Sequence, residues 1–167
     1  MVTDEIIIEL HANPDREASE AEIRAIRKRL TGVGFLEETR IPPSSRGLSA
    51  SGHTLGERES SLVHHLVRRI VLDEQWTDGT TPEQYLADLR AAVEDSSARF
   101  GVGKPPGNGA PLVYVFADNH VPQRRRGRCA EPSMFVLYGV ADGVIITGHM
   151  VSGTDAVRKA DDFRWLR

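Results

Sequence analysis

The stretch SLVHHLVRRIV, residues 61–71, sets two histidines one helical turn ahead of two arginines. At about 100° per residue, Leu62, Val63, Leu66, Val67, Ile70 and Val71 share one half of a helical wheel, and His64, His65, Arg68 and Arg69 share the other. A spacing of four brings His64 beside Arg68 and His65 beside Arg69. No carboxylate lies between Leu62 and Leu72, so each imidazole faces a cation, which disfavours its charged form and keeps it a base near neutral pH. That suits one reaction in particular. Metal-independent RNA cleavage needs a base for the 2′-OH proton, an acid for the leaving 5′-oxygen and cations for the charge that develops on the phosphorane. RNA brings its own nucleophile, so no activated Ser or Cys is required. The alternative is that the same four residues form the solvated face of an ordinary helix.

A second cationic cluster lies in HVPQRRRGRC, residues 120–129. Arg124, Arg125, Arg126 and Arg128 offer planar forks that match phosphate, and Gly127 lets the backbone approach it. A Pro-containing loop of this kind is equally a solvated connection, and His120 within it is expected to have no role. Lys104 in GKPPGNG lacks Walker A spacing. His11 and His53 have no ligand-type neighbours at metal spacing, and the lone Cys129 has no internal disulfide partner. No metal and no cofactor are therefore expected.

Elements able to position these groups are legible from periodicity. EIIIELHA is rich in β-branched residues and predicts a strand. SEAEIRAIRKRL opens with Ser19 and Glu22, a capping box, and predicts a helix with Ile23, Ile26 and Leu30 on one face. FLEETRI predicts a second strand, giving a β-α-β lobe over residues 1–41. Residues 42–56 are rich in Pro, Ser and Gly and form a linker or ordered loop. Residues 57–167 form a second domain. It holds the histidine helix over about 56–74 and a helix capped by Thr81, Pro82 and Gln84 that buries Tyr85, Leu86, Leu89 and Val93. GVGKPPGNGAP, 101–111, is a flexible break. The runs LVYVFAD, MFVLYGVA and VIITGHMV then form an antiparallel meander, the last two joined by Asp142-Gly143, a type I′ hairpin signal. In the last run Thr147 and His149 share a face with Ile145, while Ile146 and Gly148 face the other way. Trp76 is a packing residue, as is Tyr85, and Phe163, Trp165 and Leu166 dock a tail onto the core. The fold class is α+β.

The chain has 167 residues, 40% of them hydrophobic, enough for a real core. It has no apolar run near the ~20 residues of a membrane span, and its acidic beginning is unlike a signal peptide. A soluble, cytoplasmic protein with no membrane partner is expected. The net charge of −3 is asymmetric: residues 1–40 carry nine acids against six bases, and residues 100–167 nine bases against six acids.

In order and content, HHLVRRIV, QWTDGTTPEQYL and FVLYGVADGVIITGH resemble the Barnase–EndoU–Colicin–RelE ribonuclease toxins, including the RelE-like, colicin D-like and contact-dependent tRNase groups. The likeness covers about residues 57–150 and leaves the N-terminal lobe outside. It implies a helix-plus-antiparallel-sheet fold whose catalytic groups come from an early helix and the sheet face. Here those positions are His64 or His65, Arg68 or Arg69, and Thr147 with Tyr138 or His149. It also implies RNA as substrate and an antitoxin or immunity protein as restraining partner. One departure stands out: many such toxins are strongly basic, as an RNA partner demands, and this chain is acidic overall. The other readings of the same residues are a non-catalytic protein- or nucleic-acid-binding module and an enzyme enclosing a small anionic metabolite.

Overall fold

The computed structural model describes residues 2–42, 51–105, 109–154, 157 and 160–166. Its first element is a helix, α1 (Thr3–Ala12), where a strand was predicted. Ile6, Ile7 and Leu10 fall at i, i+1 and i+4, and all three are buried. Asp4 and Glu5 occupy the first turn, where acids suit the positive end of the helix dipole. Packing against α2 (Glu20–Gly32) and the sheet outweighs the modest strand preference of isoleucine. In α2 the capping box forms as expected, with Ser19 Oγ accepting from Glu22 N and Glu22 accepting from Ser19 N. The N-terminal region is therefore two helices and not a β-α-β unit. FLEETRI contributes a single bridge, Phe35 to Ile145, and then β1 (Thr39–Arg40), which pairs antiparallel with β2 (Arg58–Glu59). Of the segment 42–56, residues 43–50 lie outside the described residues.

Two helices follow, α3 (Ser61–Val71) and α4 (Pro82–Glu94). Ser60 caps α3 through a bond from Val63 N, and Thr81 with Gln84 closes a capping box on α4. The main sheet holds β3 (Arg99–Lys104), β4 (Leu112–Ala117), β5 (Ser133–Gly139), β6 (Val144–Val151) and β7 (Asp161–Trp165). It is antiparallel, in the order β6-β5-β4-β3-β7, so the fold is α+β. β3 occupies part of the expected flexible break; residues 106–108 lie outside the described residues. Its glycines reflect a close neighbour, because a Cβ on Gly101 would collide with the Phe163 ring of β7.

The β5–β6 connection spans residues 140–143, and of these Gly143 alone has a positive φ, 67°. A two-residue type I′ turn needs positive φ at both central positions, so the Asp142-Gly143 signal marks the hairpin but not its turn type. A bulge follows. Leu137 pairs with Thr147 and Tyr138 with Ile145, leaving Ile146 as the extra residue of β6. The expected alternation breaks there: Ile145 turns to the helix-covered core, while Thr147 and His149 face the other side of the sheet.

The helices cover one face of the sheet, and α1, α2, α4 and the strands contribute to a single apolar cluster that includes fully buried Trp76 and Tyr85. On the other face Tyr114, Phe116 and Phe135 pack under Phe163 and Val157. Arg164 of β7 then reaches α1, donating to the carbonyls of Leu10 at 3.0 Å, Asn13 at 2.8 Å and Arg16 at 2.6 Å. Among the described residues no helix is long and apolar enough to cross a membrane.

Leu30 is fully buried in the shared cluster, and removing such a side chain costs about 2–5 kcal/mol. Leu30→Ala is expected to lower one common thermal transition, seen together by far-UV and near-UV circular dichroism. Two separated transitions would show that α1 and α2 fold independently of the sheet.

Candidate active site

β6 is an edge strand, and its outward N–H and C=O groups need partners. Side chains supply most of them. Arg69 of α3 donates from Nε to Gly148 O at 3.3 Å, from Nη2 to Thr147 Oγ1 at 2.6 Å and from Nη1 to Asp73 Oδ2 at 2.5 Å. Tyr85 OH donates to the same Gly148 carbonyl at 2.6 Å. Glu74 adopts a left-handed φ of 53° just after α3, and Gln75 then bonds both backbone groups of Met150, at 2.8 and 3.0 Å. Ile145 N donates to Gly34 O at 2.8 Å.

This edge corrects the helical-wheel expectation. His64 and Arg69 are buried, whereas Val71 is 55% exposed. α3 does not dock solely through its aliphatic half, because a strand edge is satisfied by donors and not by methyl groups. Leu66 is buried and Leu62 and Ile70 pack against the core, so the helix uses both kinds of contact.

His64 finds a carboxylate from outside the segment Leu62 to Leu72. Its Nδ1 lies 2.6 Å from Glu59 Oε1, with both side chains almost wholly buried. Ser51 Oγ donates to the other carboxylate oxygen of Glu59, and His53 Nε2 lies 3.6 Å from it. Glu59 sits in β2, before the N-cap, where helical spacing does not look. Asp73, by contrast, stands four residues after Arg69 and was within reach of a spacing argument.

His65 Nδ1 lies 3.4 Å from Thr147 Oγ1, and its ring packs against Phe35 and His64 at 5.4 and 5.5 Å. Burial, then the charge of Arg69, with smaller effects from His64, Arg68 and His149, pushes its pKa down to about 3. The ring is therefore neutral at physiological pH. His149 is also lowered, by burial first and Arg69 second. Its Nδ1 lies 3.1 Å from Met150 O; a carbonyl only accepts, so Nδ1 carries the proton and Nε2 is the basic nitrogen. Arg68 acts on both rings through its charge yet makes no hydrogen bond or ion pair among the described residues.

His64, His65, Arg68, Arg69, Thr147 and His149 thus gather at one place. Tyr138 does not join them. Alternation along β5 turns it, with Met134 and Val136, towards the helix-covered face, where its hydroxyl donates to Asp4 Oδ1 at 2.6 Å and accepts from Arg29 Nε at 3.1 Å. Burial and the Asp4 bond raise its pKa to about 12, and it ties the hairpin to both helices.

Of the basic loop, Arg124 donates to Asp88 at 2.8 Å, and Asp88 also accepts from Trp76 Nε1 at 3.0 Å. Arg126 is paired with Asp78 at 2.6 Å. Arg125 and Arg128 form no side-chain bond among the described residues. Backbone bonds from Arg126 N to Gln75 O and from Thr77 N to Arg124 O seat the loop on the α3–α4 connection, so Gln75 joins it to β6. Among the described residues no group of three His, Cys, Asp or Glu side chains is placed to hold a metal.

No protein-family model, no curated protein and no solved structure matches this chain.

The His65 shift fixes the sign of a stability effect. Between the ordinary value of 6.5 and about 3 the unfolded chain binds a proton that the folded chain does not, so this residue's contribution to stability falls as pH falls through that window. His65→Phe is expected to lose less stability than the parent between neutral pH and about pH 4.5, by on the order of 2 kcal/mol. Urea denaturation at both pH values measures the difference; equal losses would mean that His65 titrates normally.

Proposed function

We propose that this chain is a small cytoplasmic, metal-independent endoribonuclease of toxin type, cleaving tRNA or mRNA and held in check by an antitoxin or immunity protein. One observation carries the reading: α3 and the hairpin, some 80 residues apart in sequence, meet through His65–Thr147 and Arg69–Thr147 contacts of 3.4 and 2.6 Å. A solvated helix face would need no such convergence.

The chemistry follows from the groups present. Arg68 has no protein carboxylate to satisfy it among the described residues and is the cation available to a non-bridging phosphate oxygen. Arg69 is held by Asp73 and in turn orients Thr147. One of the neutral imidazoles, His65 or His149, takes the 2′-OH proton as the 2′-oxygen bonds to phosphorus. The bond from phosphorus to the 5′-oxygen breaks, and the other ring returns a proton to that oxygen. Burial and then the arginine charges depress both rings; a bound phosphate offsets the charge contribution, which raises the pKa of the one acting as acid. The products are a 2′,3′-cyclic phosphate and a 5′-hydroxyl.

A second reading is favoured by the engagement of all three Arg69 nitrogens within the protein and the enclosure of His64 by Glu59. On that reading the same network only seals the β6 edge of a non-catalytic binding module, and Arg125 and Arg128 make the outward contact.

Purified protein incubated with total tRNA and an mRNA transcript in excess EDTA separates the two. Cleavage leaving 2′,3′-cyclic ends is expected. Loss of either ring, in His65→Ala or His149→Ala, should slow it by about 10²–10⁴-fold, and Arg68→Ala by about 10²–10³-fold with the fold unchanged. RNA left intact by the parent protein, while His65→Ala merely lowers the melting temperature, would establish the sealing role instead.

A further inference from the structure

α4 and the loop after β4 enclose a groove of about 380 Å³ that shares no residue with the α3–β6 site. Its floor is Ala87 and Ala91, exposed methyl groups one helical turn apart, and its wall is Val121 and Pro122. His120 and Arg124 supply its polar edge. Asp95 is held near pKa 2 by Ser97 and then His120, so it remains a carboxylate and only accepts. The His120 Nδ1, 2.9 Å away, therefore carries a proton, and in the neutral ring Nε2 is left as an acceptor without a partner among the described residues. Arg124 spends Nη1 on Asp88 and keeps its other N–H groups unbonded among the described residues. Asp88 is already satisfied by Trp76 and Arg124.

The groove thus offers an apolar floor, acceptors at His120 Nε2 and the Gln123 amide oxygen, and a planar donor fork, in a volume at the low end of the ~300–1,000 Å³ typical of ligand pockets. A bare phosphate would leave the floor and the Nε2 acceptor unused, and an aliphatic chain would leave the polar edge unused. A base uses all three, because its edge alternates donors and acceptors and its face stacks on apolar or guanidinium surfaces. We propose that this groove binds a nucleobase, carried either by a free mononucleotide or by single-stranded RNA. The inference stands apart from the cleavage reading, and either can fail alone.

The test is a ¹H–¹⁵N titration of the full chain with the four ribonucleoside 5′-monophosphates, a short single-stranded oligoribonucleotide, and ribose 5-phosphate as the baseless control. Shifts at Ala87, Ala91, His120 and Val121 are expected with at least one base-bearing ligand and not with ribose 5-phosphate. Shifts with the mononucleotides identify a free nucleotide as sufficient; shifts with the oligoribonucleotide alone identify the strand. Ala91→Leu fills the groove from an exposed position and should weaken binding at least about tenfold, as should His120→Ala through its lost hydrogen bond. Equal shifts with ribose 5-phosphate, no shifts with any ligand, or binding unchanged in a folded Ala91→Leu protein would each overturn the assignment.

Discussion

The backbone of β6 runs along an open edge of the sheet, and much of the interior follows from how that edge is closed. An unpaired carbonyl or amide shut away from water costs about as much as a lost hydrogen bond. The chain meets this with side chains, Arg69 and Tyr85 on Gly148 and Gln75 on Met150, and with one backbone partner, the Gly34 carbonyl on Ile145. A guanidinium inside the protein then needs its own anion, and Asp73 provides it. The buried cation in turn joins desolvation in holding His65 and His149 in their neutral forms. The acid–base character of the cluster is thus a by-product of sealing a strand.

The β6 bulge decides which hairpin side chains take part. One extra residue at Ile146 separates the Thr147–His149 side of the strand from Ile145 and Tyr138. Strict alternation would have put Ile145 with Thr147. As it stands, Thr147 meets α3 while Tyr138 bonds Asp4 and Arg29 at the far end of the hairpin. The bulge therefore brings Ile145 into the core beside Tyr138 while Thr147 and His149 keep the opposite face.

Local signals made α2 and α4 legible, because a capping box is a short-range device and its residues do the same work in any fold. Segments whose conformation depends on distant partners were not. The isoleucines of α1 are good strand residues until α2 and β3 pack against them, and the glycines of β3 read as a break until Phe163 occupies the space they leave. At the site, the resemblance set Thr147 and His149 opposite the α3 histidines, and it is Thr147 that His65 and Arg69 contact. The burial of Arg69 was not anticipated, since a helical wheel assumes an apolar neighbour. Glu59 escaped because it belongs to the strand before α3, and Gln75 because its role depends on the left-handed turn at Glu74.

The clasp made by β7 couples the sheet edge to the first helix. With residues 161–166 undocked, β3 has a bare hydrogen-bonding edge, and the carbonyls of Leu10, Asn13 and Arg16 lack the guanidinium that joins them. In that state the sheet has four strands, and its β3 edge is open to pairing with another chain. Docking of β7 covers the β3 edge and, through Arg164, fastens α1 in the same step, so the sheet edge and the first helix are secured or released together.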